Sequence, residues 1–192
     1  MNDIEFLIDT MGDTVLINDV EHKALITHSN VTSHEERYIH TIEEIKQGDS
    51  ITYDNEKYLI VTESVTKRAN KYKALIRHCN YSIEIPGATE EVMMTDDDGN
   101  PIYDRYGDEI FITVETDPIS IYTIVDNKSF AISGNQLLVA DNQIIVTVQD
   151  NQTNRDKLQV NSTFTVMDSE WKVKNVDKTQ KGLLIITCEI NT

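Results

Sequence analysis

Apolar and polar residues alternate with a period of two along most of this chain, and the apolar positions are rich in Val, Ile, Thr and Tyr. That pattern predicts half-buried β-strands, because successive side chains of a strand point to opposite faces. The clearest are residues 58–61 (Tyr-Leu-Ile-Val), 74–76 (Ala-Leu-Ile), 110–114 (Ile-Phe-Ile-Thr-Val) and 183–187 (Leu-Leu-Ile-Ile-Thr). Asn18-Asp19 separates the apolar run 14–17 from Val20, and Asp141-Asn142 separates 137–139 from 144–146. Asx pairs tolerate the positive φ of tight hairpins, so each pair predicts a chain reversal. With only 7 Gly and 3 Pro in 192 residues, such turns must carry much of the folding back. Two short helices are expected as well. Ile4, Leu7, Ile8 and Met11 recur at helical spacing before Gly12. Residues 41–47 open with Thr41-Ile42-Glu43-Glu44, which reads as a capping box, and Gly48 supplies a stop. Both are too short to be stable unless packed on sheet. The fold class is therefore mostly β.

An internal duplication organises the rest. Residues 51–58 align without gaps on residues 164–171, each reading as strand, polar turn and then an aromatic (Tyr58, Trp171) entering the next strand. Downstream, 73–79 matches 182–188, bringing Cys79 onto Cys188. Two duplicated small β-barrel or sandwich units follow from this, at 13–85 and 119–192, after an N-terminal segment 1–12. Between them lies an insertion, 86–118, expected to form a projecting β-hairpin turning at Asp98-Gly99-Asn100-Pro101.

Charge sharpens the picture. The net charge is −16, which opposes general nucleic-acid binding and residence on an anionic membrane surface. Residues 84–118 hold eleven acidic residues against Arg105, a net of −10 that leaves −6 for the remainder. Asp96, Asp97, Asp98, Asp104 and Asp108 form its centre. Residues 65–78 reverse the sign, with Lys67, Arg68, Lys71, Lys73 and Arg77 and no acidic residue. The matching loop of the second copy carries Lys172, Lys174, Lys178 and Lys181 against Asp177. Fields of this kind steer association and fix register between partners. Lys67, Arg68, Lys71, Lys73, Arg77, Asp96, Asp97, Asp98, Asp104, Arg105 and Asp108 are the candidate subunit and partner interface. An acid-to-base contact repeated from copy to copy is heterologous and closes into rings.

Catalytic and metal chemistry finds little support. An EF-hand loop with its glycine at Gly99 needs an acidic residue at 94 and a Glu at 105, where this chain has Met94 and Arg105. His28, His34 and His40 follow a six-residue period that suits neither a helix face nor a zinc pair. There is no phosphate loop, nucleophile elbow or kinase motif. No catalytic residue, cofactor or metal is expected, and the two distant cysteines read as free and partly buried thiols. No apolar run is long enough to span a bilayer, and the start, Met1-Asn2-Asp3-Ile4-Glu5, has no basic signal head, so a cytoplasmic product is expected.

The first copy resembles a known family. Ile45-Lys46-Gln47-Gly48-Asp49-Ser50-Ile51 leads to Tyr53, then Lys57-Tyr58-Leu59-Ile60-Val61, and a lysine-rich hairpin returns through Lys73-Ala74-Leu75-Ile76. This layout is similar to the small β-barrel head-tail connectors of tailed bacteriophages, the head-closure or stopper type above all. The resemblance covers residues 40–80 and more loosely 159–188. It implies a non-enzymatic virion structural protein of the neck, made in the host cytoplasm and assembled as a ring between portal or adaptor and tail proteins. DNA would then be a channel passenger that an acidic lumen repels, and no membrane partner is implied. Two other readings fit the composition: an acidic DNA-mimic inhibitor of a host restriction or nuclease enzyme, and a carbohydrate- or receptor-binding tail module. The lysine-rich hairpins oppose the first, and the absence of an aromatic platform beyond Trp171 opposes the second.

Overall fold

A computed structural model describes residues 3–29, 34–66, 71–87, 89–127, 131–133, 136–138 and 142–191. The protein is mostly β, with two six-stranded barrel-like sheets and two short helices. By compactness it divides into a body of Met1–Ile83 with Ile121–Thr192, and a separate unit of Glu84–Ser120.

Helix α1 spans Asp3–Met11, and Gly12 ends it by donating its N–H to the Ile8 carbonyl at 2.8 Å. Only Ile8 among its described apolar side chains is buried; Phe6, Leu7 and Met11 face outward. Six strands then close a barrel: β1 (Asp13–Ile17), β2 (Val20–His28), β3 (Glu36–Thr41), β4 (Ser50–Tyr53), β5 (Glu56–Ile60) and β6 (Tyr72–His78). Their order is β1-β2-β3-β6-β5-β4, and β4 returns to β1 by pairing Ile51 with Ile17. Alternation fills the interior with Val15, Ile17, Ala24, Ile39, Ile51, Tyr58, Ile60 and Ile76. Two-residue turns at Asn18-Asp19 and Asp54-Asn55 both have positive φ, the geometry that the right-handed strand twist selects.

The second sheet has the order β14-β15-β16-β13-β10-β7. It comprises β7 (Tyr81–Ile85), β10 (Ile119–Asn127), β13 (Gln143–Gln149), β14 (Thr163–Val166), β15 (Ser169–Asp177) and β16 (Leu183–Ile190). Between β7 and β10 lie β8 (Thr89–Met93) and β9 (Phe111–Glu115), which pair with each other. β11 (Ala131–Ser133) and β12 (Gln136–Leu138) form a small separate hairpin.

The aligned hairpins do correspond. Ile51 faces Tyr58 across β4 and β5, and Phe164 faces Trp171 across β14 and β15, over two-residue turns of the same left-handed kind. The downstream match does not. Ile60 pairs with Ile76, whereas its counterpart Val173 pairs with Cys188. Cys188 therefore takes the place of Ile76, and Cys79 lies just past the end of β6.

Four further expectations are corrected. Residues 41–47 form no helix: Thr41 is still a β3 residue paired with Tyr72, and its hydroxyl donates to the Glu43 carbonyl at 2.7 Å. The segment bends so that Ile45 enters the barrel core, fully buried. The second helix is α2, Gln152–Lys157, which has no apolar period; Asn151 caps it by accepting from Asn154 N. Leu137 and Leu138 pair back onto Ile132 and Ala131, not across Asp141-Asn142 onto β13; Asp141 itself is outside the described residues. Finally, β7 hydrogen-bonds into the second sheet, although the duplication pattern placed it with the first copy.

Candidate functional site

Three places concentrate interactions: the joint between barrel and second sheet, a polar cluster beside it, and the acidic unit. The joint starts at β5, whose Tyr58, Leu59 and Ile60 are all buried. Tyr58 and Ile60 fill the barrel, while Leu59 points the other way and packs with Cys79, Ile124 and Leu183. At one end of this seam the backbones themselves meet. Gly48 (φ +91°) and Gly182 (φ +85°) approach so closely that a Cβ on Gly48 would lie 1.8 Å from the Gly182 carbonyl oxygen. Only glycine satisfies both the positive φ and that approach. Gln47 Nε2 donates to Gln180 Oε1 at 3.3 Å, and Gln149 Nε2 to Asn18 Oδ1 at 2.9 Å. A groove of about 510 Å³ opens here, walled by Glu44, Lys46, Asp49, Glu63, Asp150 and Lys181. Its walls carry both signs, so it selects no single ligand charge.

At the other end, Arg77 forms a two-pronged ion pair with Asp126. Asn80 continues the link as a side chain that imitates a strand: it donates to the Val125 carbonyl at 2.9 Å and accepts from Val125 N at 2.8 Å. Beside it, Glu35 Oε1 accepts from the Tyr58 hydroxyl at 2.8 Å and from Arg37 Nη2 at 2.7 Å. The Tyr58 hydrogen bond, with help from Arg37, holds the Glu35 carboxyl below its ordinary range. Burial, and then the same bond to Glu35, pushes the Tyr58 hydroxyl up. The His78 ring meets Tyr58 edge-on at 5.3 Å and its Nε2 lies 2.9 Å from Glu56 Oε2. These groups satisfy one another: Tyr58 is buried while Glu35 and Glu56 are exposed, so the cluster orders a polar edge of the barrel. The cysteine thiols are buried, and desolvation raises both to about 12.

The acidic unit is built differently from a simple hairpin. Above the β8–β9 ladder the chain makes two consecutive turns, at 96–100 and 104–108. Asp96 Oδ1 accepts from Asp98 N and Asn100 N at 3.0 and 2.8 Å. Asp104 Oδ1 accepts from Tyr106 N and Asp108 N at 2.7 and 3.0 Å. Gly99 and Gly107 take the left-handed position in each turn. Met94, Ile102 and Ile110 then bond in a cycle, each N–H to another's carbonyl, at 2.7 to 3.1 Å. The backbone N–H groups of Asn100 and Asp108, first among several, hold the Asp96 and Asp104 carboxyls below their ordinary range.

The candidate interface residues therefore divide. Arg77 is committed to Asp126 inside the body. Lys73 sits 3.8 Å above the Tyr38 ring, and Lys71 is half-buried beside it. Lys67 and Arg68 lie outside the described residues. Asp96 and Asp104 are turn formers, whereas Asp97, Asp98 and Asp108 are exposed, and Arg105 stacks on Tyr106. Sequence reasoning missed Asp126, Asn80 and the two-turn architecture. The last had a signal: Asp-x-x-Gly-(Asn/Asp)-x-Ile-(Tyr/Phe) occurs at 96–103 and again at 104–111. Among the described residues no group of three or more His, Cys, Asp or Glu is arranged to hold a metal, and no helix is long and apolar enough to cross a membrane.

Comparison with known proteins places these units in context. Residues 1–78 match the model of the YomX N-terminal domain, and residues 81–189 that of the YomX C-terminal domain. The break falls between β6 and β7, where the chain leaves the barrel for the second sheet. No curated protein matches. Among solved structures, a K. pneumonia MrkH–c-di-GMP complex aligns over 98% of this chain and 83% of that one, at 10% identity and a TM-score of 0.21. That likeness carries no argument.

Proposed function

This chain belongs to the YomX family, which is phage-derived, and from that premise we propose that it is a non-enzymatic structural protein of the virion neck. In this reading, copies form a ring that joins the portal or adaptor to the tail and surrounds the DNA channel. The observation that carries it is the combination, in a phage protein, of two barrel-like sheets, joined by a few close contacts, with a separate, strongly acidic two-stranded unit. A ring subunit needs a body that keeps its shape under load and an extension that reaches other subunits. The joint supplies the first through the Gly48–Gly182 approach, the Leu59–Ile124–Leu183 packing and the Arg77–Asp126 pair. The −16 charge suits a channel through which DNA passes without sticking, because like charges repel at close range. Portal, adaptor and tail proteins are the partners this reading requires, and the virion its final location.

Gold-labelled antibody on phage particles, viewed by electron microscopy, tests the proposal. Label confined to the neck is the expected result. Label at the tail tip would move the role to host attachment. Particles that lack the protein would overturn the virion reading and favour a soluble acidic protein that mimics DNA.

A further inference from the structure

The Glu84–Ser120 unit holds a ribbon that has too little to bury by itself. β8 and β9 make five residue pairs, from Thr89–Glu115 to Met93–Phe111, and among the described residues no third strand joins them. A two-stranded ribbon is marginal in water unless something covers a face. Val92 stands opposite Ile112, and Val114 lies two residues along on the same face. All three are more than 40% exposed. This apolar face, with Glu90 standing on it opposite Val114, has the composition of a contact surface.

Charge decides what can cover it. A second acidic unit would bring another −10 against the first, so face-to-face pairing of two such ribbons is opposed. Charge therefore favours a cationic cover. Within this chain, residues 65–78 hold no acidic residue, and with Arg77 spent on Asp126 they still offer Lys67, Arg68, Lys71 and Lys73, beside an exposed Val65. We propose that the Val92–Ile112–Val114 face of one copy is covered by the Lys71–Lys73 side of the barrel of a second copy. This deepens the ring reading and rests on it only for closure: each copy then offers one acidic ribbon and one basic barrel side, a head-to-tail contact that propagates or closes.

Sedimentation velocity on the full chain tests the contact. The wild type is expected to associate at high micromolar concentration, and at least tenfold more weakly in 500 mM than in 50 mM salt, by charge screening. Two variants each remove one half: Val92→Ser with Ile112→Ser, and Lys71→Glu with Lys73→Glu. Each alone is expected to be monomeric. Mixed, they are expected to give a one-to-one dimer and nothing larger, since one sound ribbon and one sound barrel side remain. Lys73 contacts Tyr38, so Lys71→Glu alone is measured too, with Trp171 fluorescence confirming the fold. A wild type that stays monomeric, variants that associate like wild type, or a mixture without dimer would each overturn the proposal. A monomer with neck labelling would reject this contact and leave the neck reading standing; association without virion labelling would do the reverse.

Discussion

Gly48→Ala strikes the joint where the two backbones are closest. The added Cβ would lie 1.8 Å from the Gly182 carbonyl oxygen, and real contacts essentially never fall below 3.0 Å. One backbone must therefore retreat by about 1.2 Å in a close-packed seam. That retreat strains two hydrogen bonds, Gly48 N to Ile60 O at 2.8 Å and Asp150 N to Gly182 O at 2.9 Å. Holding alanine at a φ of +91° costs roughly 1–2 kcal/mol. Weakening one or both bonds adds about 1–2 kcal/mol. A destabilisation of about 3 kcal/mol is expected, or about 6–12 °C in melting temperature for a chain this long. Gly99→Ala is the control, because Gly99 has the same left-handed backbone (φ +84°) and nothing within 4 Å of its virtual Cβ. Melting of both variants is followed by far-ultraviolet circular dichroism and Trp171 fluorescence. The control adds the same backbone strain, roughly 1–2 kcal/mol, but to the separate Glu84–Ser120 unit, so it is expected to move the main transition of the body by less than about 3 °C. Equal shifts in the two variants would refute the idea that close approach, and not backbone strain alone, dictates glycine at 48.

Other expectations follow from the same contacts. Arg77→Met should cost about 2 kcal/mol by leaving the partly buried Asp126 with only the His34 ring, at 3.7 Å, for a partner among the described residues, and a double-mutant cycle with Asp126→Asn should recover at least about 1 kcal/mol, the size expected for coupled neighbours. Met167→Asn should stabilise by about 0.5–1 kcal/mol in urea unfolding, because methionine holds a φ of +54° in a turn that asparagine tolerates. Glu35 is depressed below its ordinary 4.5, so its contribution is fully present above that value and is lost as pH falls through the lower folded one. Tyr58→Phe should flatten that acid limb in urea midpoints measured from pH 6 to 3. Native Cys79 and Cys188 should resist iodoacetamide at pH 8 and react once unfolded, because burial raises both thiols to about 12.

What could be read without a structure is what depends on near neighbours along the chain. Period-two alternation gave the strands, because a half-buried strand cannot tolerate polar residues on its inner face. Asn18-Asp19 is a two-residue turn for a local reason: Asx residues accept positive φ at low cost. The helix ending at Gly12 was legible on the same grounds, and so was the 51–58 to 164–171 correspondence. The eight-residue repeat at 96–111 was equally local, since Asp, Gly and Ile at fixed offsets carry the whole turn.

The rest depends on what a segment meets in space. Thr41 to Gly48 has the letters of a capped helix, but Thr41 is already spent in the β3–β6 ladder and Ile45 is drawn into the barrel. Helix α2 exists without an amphipathic pattern because Asn151 caps it and buried Asn154 bonds the Gln149 carbonyl at 2.8 Å. Arg77 looked like one member of a basic surface, and only pairing with Asp126, 49 residues away, turns it inward. Strand register is likewise a tertiary decision. Cys79 and Cys188 align as letters, yet pairing places Cys188 where the first copy has Ile76, because β15 and β16 settle on the register that buries Leu184, Ile186 and Cys188 together.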